Sequence, residues 1–141
     1  MMRLQHMIIL MLSAFFLGGC AVGQSINSVG HSIKNNIQGT HYLQTKNYSQ
    51  GELTFHETVK QDPENPQPNY YLGRFLLAEK KPKQALPYLQ KAASLDPKDT
   101  DYLFWQGVAL GELGKRRQER VNYQKVLKIK KNLIIQGTHN I

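Results

Sequence analysis

Residues 66–99 read PQPNYYLGRFLLAEKKPKQALPYLQKAASLDPKD. The apolar residues on either side of Lys81-Pro82 recur at helical spacing, which predicts two helices joined by a short turn. Asp96-Pro97 then marks a second turn, where the second helix is expected to end. This stretch therefore predicts one helical hairpin.

The glycine inside this hairpin, Gly73, belongs to a series with Gly39 and Gly107, spaced 34 residues apart. A fixed period in this range is the signature of a repeat architecture. Glycine costs about 1 kcal/mol inside a helix, so its recurrence at one phase predicts a close approach of the two helices of each hairpin, with Gly51 and Ala85 opposite. The residues assigned to repeat packing are Gly39, Gly73, Gly107, Ala85, Pro63 and Pro97.

The pattern resembles the tetratricopeptide repeat, a helix–turn–helix unit of the form W-x2-L-G-x2-Y…A-x3-F…P. The middle unit fits best, with Leu72-Gly73, Ala85 and Asp96-Pro97, whereas the third departs at Glu119 and Lys131. The resemblance implies an all-α fold, a short right-handed solenoid of about three hairpins. We expect the array over 32–131, as units 32–65, 66–99 and 100–131.

The N-terminus carries a second signal. Arg3 precedes an apolar run, Met7–Leu17, that is too short to span a bilayer, which is typical of a secretory signal peptide over residues 1–19. The run ends in Leu17-Gly18-Gly19-Cys20, which resembles a bacterial lipoprotein box and implies a covalent lipid on Cys20. Residues 20–31 would then form a tether, although cleavage elsewhere with a free thiol is the alternative. The chain has one cysteine, so an internal disulfide is impossible.

The C-terminal residues 132–141 contain an oddity. The string IQGTH at 135–139 repeats the string at 37–41 letter for letter. The segment is interpreted either as a capping helix, whose Leu133, Ile134 and Ile135 cover the last apolar face, or as an incomplete fourth repeat.

The positive charge is concentrated near the end of the array. The formal net charge is +8, and within 115–131 eight basic residues face one acidic residue. This basic patch indicates either a solvated end of the array or attraction to an anionic envelope surface or polymer, or to an acidic partner. Nucleic acid is poorly supported, because an exported lipoprotein would seldom meet it and the one aromatic residue in the basic run, Tyr123, is expected in the core. The patch consists of Lys115, Arg116, Arg117, Arg120, Lys125, Lys128, Lys130 and Lys131.

The sequence offers little for catalysis. The histidines show no metal-ligand spacing, no glycine-rich phosphate loop is present, and the carboxylates cluster at turns and helix starts. We therefore expect neither an enzyme nor a metal or cofactor other than the lipid on Cys20.

The family resemblance implies a ligand groove lined by the first helix of each hairpin. Some family members grip a terminal carboxylate with a lysine–asparagine clamp, but Asn36, Thr40 and Asp101 stand at the corresponding positions here, and the clamp lysines are absent. Trp105, Tyr123 and Phe55 are expected in the core. The residues predicted to face the groove are Asn36, Thr40, Leu43, Tyr70, Arg74, Leu77, Asp101, Phe104 and Val108.

These observations predict an adaptor or assembly factor for an envelope complex, resembling lipoproteins that pilot or scaffold envelope machines. Its partner would be a peptide segment or a subunit of such a machine. The lipid would anchor it at the periplasmic face, with the outer membrane favoured. Three repeats are about the minimum for a stable stack, so a homo-oligomer is a further possibility. The alternatives are electrostatic association of the basic last helix with the envelope, and an accessory subunit of an envelope enzyme.

Overall fold

A computed structural model describes residues 30–138, which contain six α-helices and no β-strand. The chain divides into two units, with the boundary between Ile37 and Gln38. The described part of the first, residues 30–37, is helical throughout. The expected signal peptide, Cys20 and most of the tether lie outside the described residues. The prediction of an all-α fold built from helical hairpins is confirmed.

The helices follow one another with short turns between them. Helix α1 is described from residue 30 and ends at residue 44. The others are α2 (Tyr48–Gln61), α3 (Pro66–Ala78), α4 (Pro82–Leu95), α5 (Thr100–Glu112) and α6 (Arg116–Thr138). Within the second unit, α2 packs on α3, α3 on α4, α4 on α5 and α5 on α6. This sequential packing is what a stack of repeats requires, because each unit contacts only its neighbours.

The turn between the two helices of a hairpin has the same backbone geometry three times. Lys46, Lys80 and Gly114 have φ values of 57°, 63° and 73°, and they stand 34 residues apart. After each one, the next backbone N–H reaches five residues back, as in the bond of 2.8 Å from Lys81 N to Leu76 O. These bonds satisfy carbonyl groups at the helix end, as in a Schellman motif. The repeat is therefore a repeat of backbone geometry as well as of sequence.

The joins between hairpins are capped by polar side chains. The Asp99 carboxylate accepts hydrogen bonds from the backbone N–H groups of Asp101 (2.8 Å) and Tyr102 (3.2 Å), which satisfies donors that the first turn of α5 leaves free. Asn65 accepts from Gln67 N at 3.2 Å at the start of α3. Pro63 and Pro97 lie in the exposed turns that precede these caps.

The core is centred on the middle hairpin. Phe55, Leu72, Phe75 and Leu89 are among the largest fully buried side chains. The Phe55 ring lies 5.6 Å from the ring of Phe75 between centroids, and 5.2 Å from the ring of Tyr71. These contacts join α2 of the first hairpin to α3 of the second, so apolar burial holds adjacent hairpins together.

The glycines do permit close packing, but not always within one hairpin. A Cβ atom at Gly73 would lie 2.5 Å from Leu89 Cγ, and one at Gly107 would lie 2.7 Å from Tyr123 Cε1, in each case on the paired helix. At Gly39 the obstructing ring is instead that of Tyr71, on the next hairpin. Gly51 likewise faces the Phe75 ring. The prediction that all three periodic glycines act within a hairpin is therefore wrong for Gly39, which permits close packing between two hairpins.

The C-terminal segment differs from the prediction. Residues 132–138 continue α6 without a break, so they form no separate capping helix, and residues 139–141 lie outside the described part. Leu133 and Ile134 are 61% and 67% exposed, which means that they cover no apolar face of the array. Helix α6 is uninterrupted because no proline or glycine stands between Lys115 and Gly137.

Over residues 30–138, no helix combines the length and the apolar character that crossing a membrane requires.

Candidate binding groove

A depression of about 300 Å³ lies along the first helices of the three hairpins within the second unit. We call it the groove. Its walls come from the end of α1, from α3 and from α5, and the start of α2 and the turn after α3 complete its rim. The lining residues are Leu43, Tyr48, Arg74, Leu77, Ala78, Lys80, Trp105, Val108 and Glu112.

Arg74 is the central charged side chain of the groove. Its guanidinium carbon lies 4.2 Å from the centroid of the Trp105 ring and 5.4 Å from that of Tyr70. Its Nη1 group donates a hydrogen bond of 3.0 Å to the Tyr70 hydroxyl. Stacking on an aromatic face and a fixed hydrogen bond hold the planar guanidinium in one orientation.

Arg74 has hydrogen-bonding capacity left over. Its Nε atom is buried without an acceptor, and no carboxylate of residues 30–138 forms an ion pair with Arg74. A guanidinium carries five N–H donors. One of them, on Nη1, is used in the hydrogen bond to Tyr70. The arrangement is therefore suited to an acceptor from outside the chain, and a carboxylate matches the guanidinium fork best.

Tyr70 has a different role from the one expected. It was predicted to offer a contact surface in the groove, but its side chain is buried, against Tyr71 and Tyr102 with centroids 5.0 Å apart in each case. Burial raises the pKa of the Tyr70 hydroxyl, and the charge of Arg74 acts in the opposite direction. Tyr70 thus belongs to the core and fixes the position of Arg74. The prediction was wrong because Tyr70 stands on the central helix α3, where Tyr102 of the next hairpin covers it.

Other predicted groove residues are distributed unevenly. Leu43, Leu77 and Val108 line the groove together with Arg74. Asp101 is exposed at the start of α5, beside the cap that Asp99 provides. The Thr40 hydroxyl lies 3.2 Å from the Tyr71 hydroxyl. Asn36 is exposed and belongs to the first unit.

Trp105 is the residue that the sequence reasoning missed. It was assigned to the core, whereas it is half-buried, packed against the core on one side and covered by Arg74 on the other. Phe104, which was predicted to face the groove, instead contacts Trp105 and Tyr123, with centroids 5.6 Å apart in both pairs. The available signal was the spacing of Trp105, Val108 and Glu112, which places all three on one face of α5.

The basic patch lies apart from the groove. Its members are all exposed on α6 or in the turn before it. Arg116 pairs with Glu119 at 3.0 Å, which is the one ion pair of α6 within the described residues. The groove and the patch are therefore separate surfaces of the second unit.

Comparison with known proteins agrees with this architecture. The tetratricopeptide repeat family matches residues 42–103. The second such domain of Spaghetti (RPAP3), solved with the HSP90 peptide SRMEEVD, is 18% identical over 70% of this chain and 91% of its own, with a TM-score of 0.64. The Sgt2 domain from Aspergillus fumigatus is 20% identical over 72% of this chain and 68% of its own, with a TM-score of 0.65.

A bacterial structure is similar as well. The type III secretion translocator chaperone SycD of Yersinia enterocolitica is 14% identical over 68% of this chain and 66% of its own, with a TM-score of 0.63. No curated protein sequence matches the chain. Residues 42–103 thus match the tetratricopeptide repeat family, and the helices described above share the fold of these solved structures.

Proposed function

We propose that the groove binds a protein segment that presents a carboxylate next to an apolar side chain. The observation that carries this proposal is the state of Arg74, which is held over Trp105, has a buried donor without an acceptor and forms no ion pair with a carboxylate of residues 30–138. Leu43, Leu77 and Val108 supply apolar contacts beside it. The result is a binding module rather than a catalyst.

The ligand we propose differs from that of the neighbour solved bound to an HSP90 peptide. The positions that the family resemblance assigns to a carboxylate clamp hold Asn36, Thr40 and Asp101, so the clamp lysines are absent. In their place the groove offers one arginine with an aromatic platform. This arrangement favours a ligand with a single carboxylate, which the guanidinium of Arg74 would bind. An aliphatic or aromatic side chain next to that carboxylate would contact the apolar residues of the groove.

A displayed library of random peptides tests this proposal. Peptides selected against the full-length chain are expected to share an acidic residue beside an apolar one, and to lose binding to the Arg74→Gln variant. Arg117→Gln is the matched control, because Arg117 is exposed on α6 and lies outside the groove. Selected peptides that bind the Arg74→Gln variant as well as the wild-type chain would overturn the proposal.

We further propose that the chain is anchored by lipid on Cys20 at the periplasmic face of a bacterial envelope, in the outer membrane, as an adaptor for an envelope complex. The support is the apolar run ending in Leu17-Gly18-Gly19-Cys20. More than one acyl chain gives stable anchoring where a single chain is marginal. The anchor would hold the groove close to membrane-bound partners and raise their effective concentration.

Radiolabelled palmitate tests the anchor independently of the groove. We expect label in the wild-type chain and membrane fractionation that resists high salt. Cys20→Ser should remove both the label and the fractionation. A Cys20→Ser variant that stays in the membrane fraction after a high-salt wash would contradict lipid anchoring.

A further inference from the structure

Helix α6 is longer than the second helix of the other hairpins, and it carries exposed apolar side chains. The equivalent of Leu95, where α4 ends, is Ile129, yet α6 continues to Thr138. Leu127 and Ile134 are each 67% exposed. They stand seven residues apart, which places them on one face of the helix. Two large apolar side chains thus lie exposed in a line on the last helix of the array.

The residues equivalent to Leu127 in the earlier hairpins show what this face of α6 is suited to contact. Subtracting 34 residues from Leu127 gives Ala93, which is 7% exposed, and subtracting the same number again gives Val59, which packs against the core. In both earlier hairpins this position lies on the second helix, which packs on the first helix of the next hairpin. Leu127 therefore marks the position where a further helix would stack on α6.

The charges around this face restrict the chemistry of that helix. Arg120 precedes Leu127 by seven residues, and Lys130 and Lys131 follow it by three and four, so all three lie on or beside the same face. All three are exposed. The lone acidic residue of α6, Glu119, is paired with Arg116. A helix that docks here meets leucine and isoleucine flanked by uncompensated positive charge, which favours an acidic partner.

A second copy of the chain does not satisfy this requirement. Head-to-tail stacking would place α6 against α1 of another copy, but residues 30–44 contain no aspartate or glutamate. Pairing α6 with α6 would bring lysines and arginines together, which is repulsive. The segment 1–29 of the chain itself also lacks acidic residues. Charge complementarity therefore favours a different protein.

We propose that the face of α6 formed by Arg120, Leu127, Lys130, Lys131 and Ile134 docks an acidic amphipathic helix of a partner protein, which adds a further helix to the array. Apolar residues seven apart on that helix would cover Leu127 and Ile134, and its glutamates or aspartates would pair with the three basic side chains. The interaction is independent of the groove, because none of these five residues lines it.

A synthetic helical peptide with leucines seven residues apart, flanked by glutamates and labelled for fluorescence anisotropy, tests the proposal on the purified full-length chain. We expect binding that weakens with salt. Leu127→Ser and Ile134→Ser should each weaken it by about tenfold. Leu53→Ser is the matched control, since Leu53 is 60% exposed on α2, and it should bind like the wild type, as should Arg74→Gln. A peptide with lysines in place of the glutamates should not bind.

Several results would overturn the proposal. Equal peptide affinity for the wild-type and Leu127→Ser chains would show that the face is not used. Dimers in sedimentation that disappear in Leu127→Ser would identify a second copy as the occupant. Failure to bind the peptide, together with binding to phosphatidylglycerol vesicles that Leu127→Ser and Ile134→Ser abolish, would identify an anionic lipid surface instead.

Discussion

The guanidinium of Arg74 lies 4.2 Å from the ring centroid of Trp105, so a cation on α3 is held against the aromatic side chain of α5. The contact crosses from the second hairpin to the third, and the hydrogen bond to Tyr70 fixes the guanidinium from the other side. A charge that is positioned in this way loses little further freedom when a carboxylate binds to it. The groove is therefore pre-organised around one residue pair.

The contact between Arg74 and Trp105 can be followed by tryptophan fluorescence, because Trp105 is the one tryptophan of the chain. Arg74→Gln uncovers a face of the indole, so we expect a red-shifted emission maximum and stronger quenching by iodide. Arg117→Gln should leave both unchanged, since Arg117 lies on α6 away from the ring. Identical spectra for wild type and Arg74→Gln in the folded protein would show that the arginine does not cover Trp105.

Substitutions of Gly73 by larger residues test how closely α3 and α4 pack at this glycine. A Cβ at Gly73 would lie 2.5 Å from Leu89 Cγ, and Leu89 is fully buried. Gly73→Ala should lower the free energy of unfolding by about 1–3 kcal/mol, and Gly73→Val should unfold the domain. Urea denaturation followed by circular dichroism measures both variants. Gly137→Ala is the control, because the added carbon would meet nothing within 4 Å apart from the backbone of its own helix, and its stability should be equal or higher.

Opposite substitutions at equivalent positions of two hairpin turns are expected to have opposite effects on stability. Lys46 and Gly114 both adopt positive φ, a conformation that favours glycine. Lys46→Gly should raise the free energy of unfolding by about 0.5–1 kcal/mol, the relief of backbone strain being partly offset by a more flexible unfolded chain. Gly114→Lys should lower it by a similar amount. Urea midpoints that move in the same direction for the two variants would contradict this account of the turns.

A small ion network predicts a dependence of stability on pH. Lys81 Nζ lies 2.6 Å from Glu79 Oε2 and 2.9 Å from Glu52 Oε2. Hydrogen bonds from Lys81 and from the Ser49 hydroxyl hold the pKa of Glu79 below its usual 4.5. Because the folded pKa is the lower one, the network stabilises the fold above the unfolded pKa, and this contribution is lost as the pH falls through the folded value.

Glu79→Gln tests that contribution directly. The difference in unfolding free energy between wild type and variant should be largest above about pH 5 and should shrink as the solution is made more acidic. Urea unfolding across this range measures it. Curves for the two proteins that stay parallel at every pH would mean that the ionised carboxylate of Glu79 contributes nothing to stability.

The sequence was sufficient to predict the hairpins, because the period of Gly39, Gly73 and Gly107 and the Asp-Pro turns are local signals. It was not sufficient to predict which neighbour each glycine faces. Gly39 contacts Tyr71 on the next hairpin, a relation that depends on how hairpins stack rather than on any one helix.

The groove was only partly predictable for the same reason. Arg74 and Val108 could be placed there by their phase within the repeat, whereas the roles of Tyr70 and Trp105 depend on the rotation of α3 relative to α5. A tyrosine and a tryptophan at neighbouring phases can exchange core and surface positions after a small rotation, because each has an apolar body and a polar tip. The extension of α6 was also missed, since a repeated IQGTH string suggested a new element where the helix simply continues.

Photo-crosslinking in cells, from a photoreactive amino acid at position 108, shows whether the groove is where this chain binds a protein partner. Val108 lines the groove and is half-buried, so a bound segment would lie within reach of the probe. We predict a discrete protein adduct that Arg74→Gln abolishes and Arg117→Gln leaves intact, with the crosslinked segment carrying a carboxylate beside an apolar residue. The absence of any adduct from position 108, or an adduct that persists at full yield in Arg74→Gln, would mean that the groove does not bind a partner through Arg74.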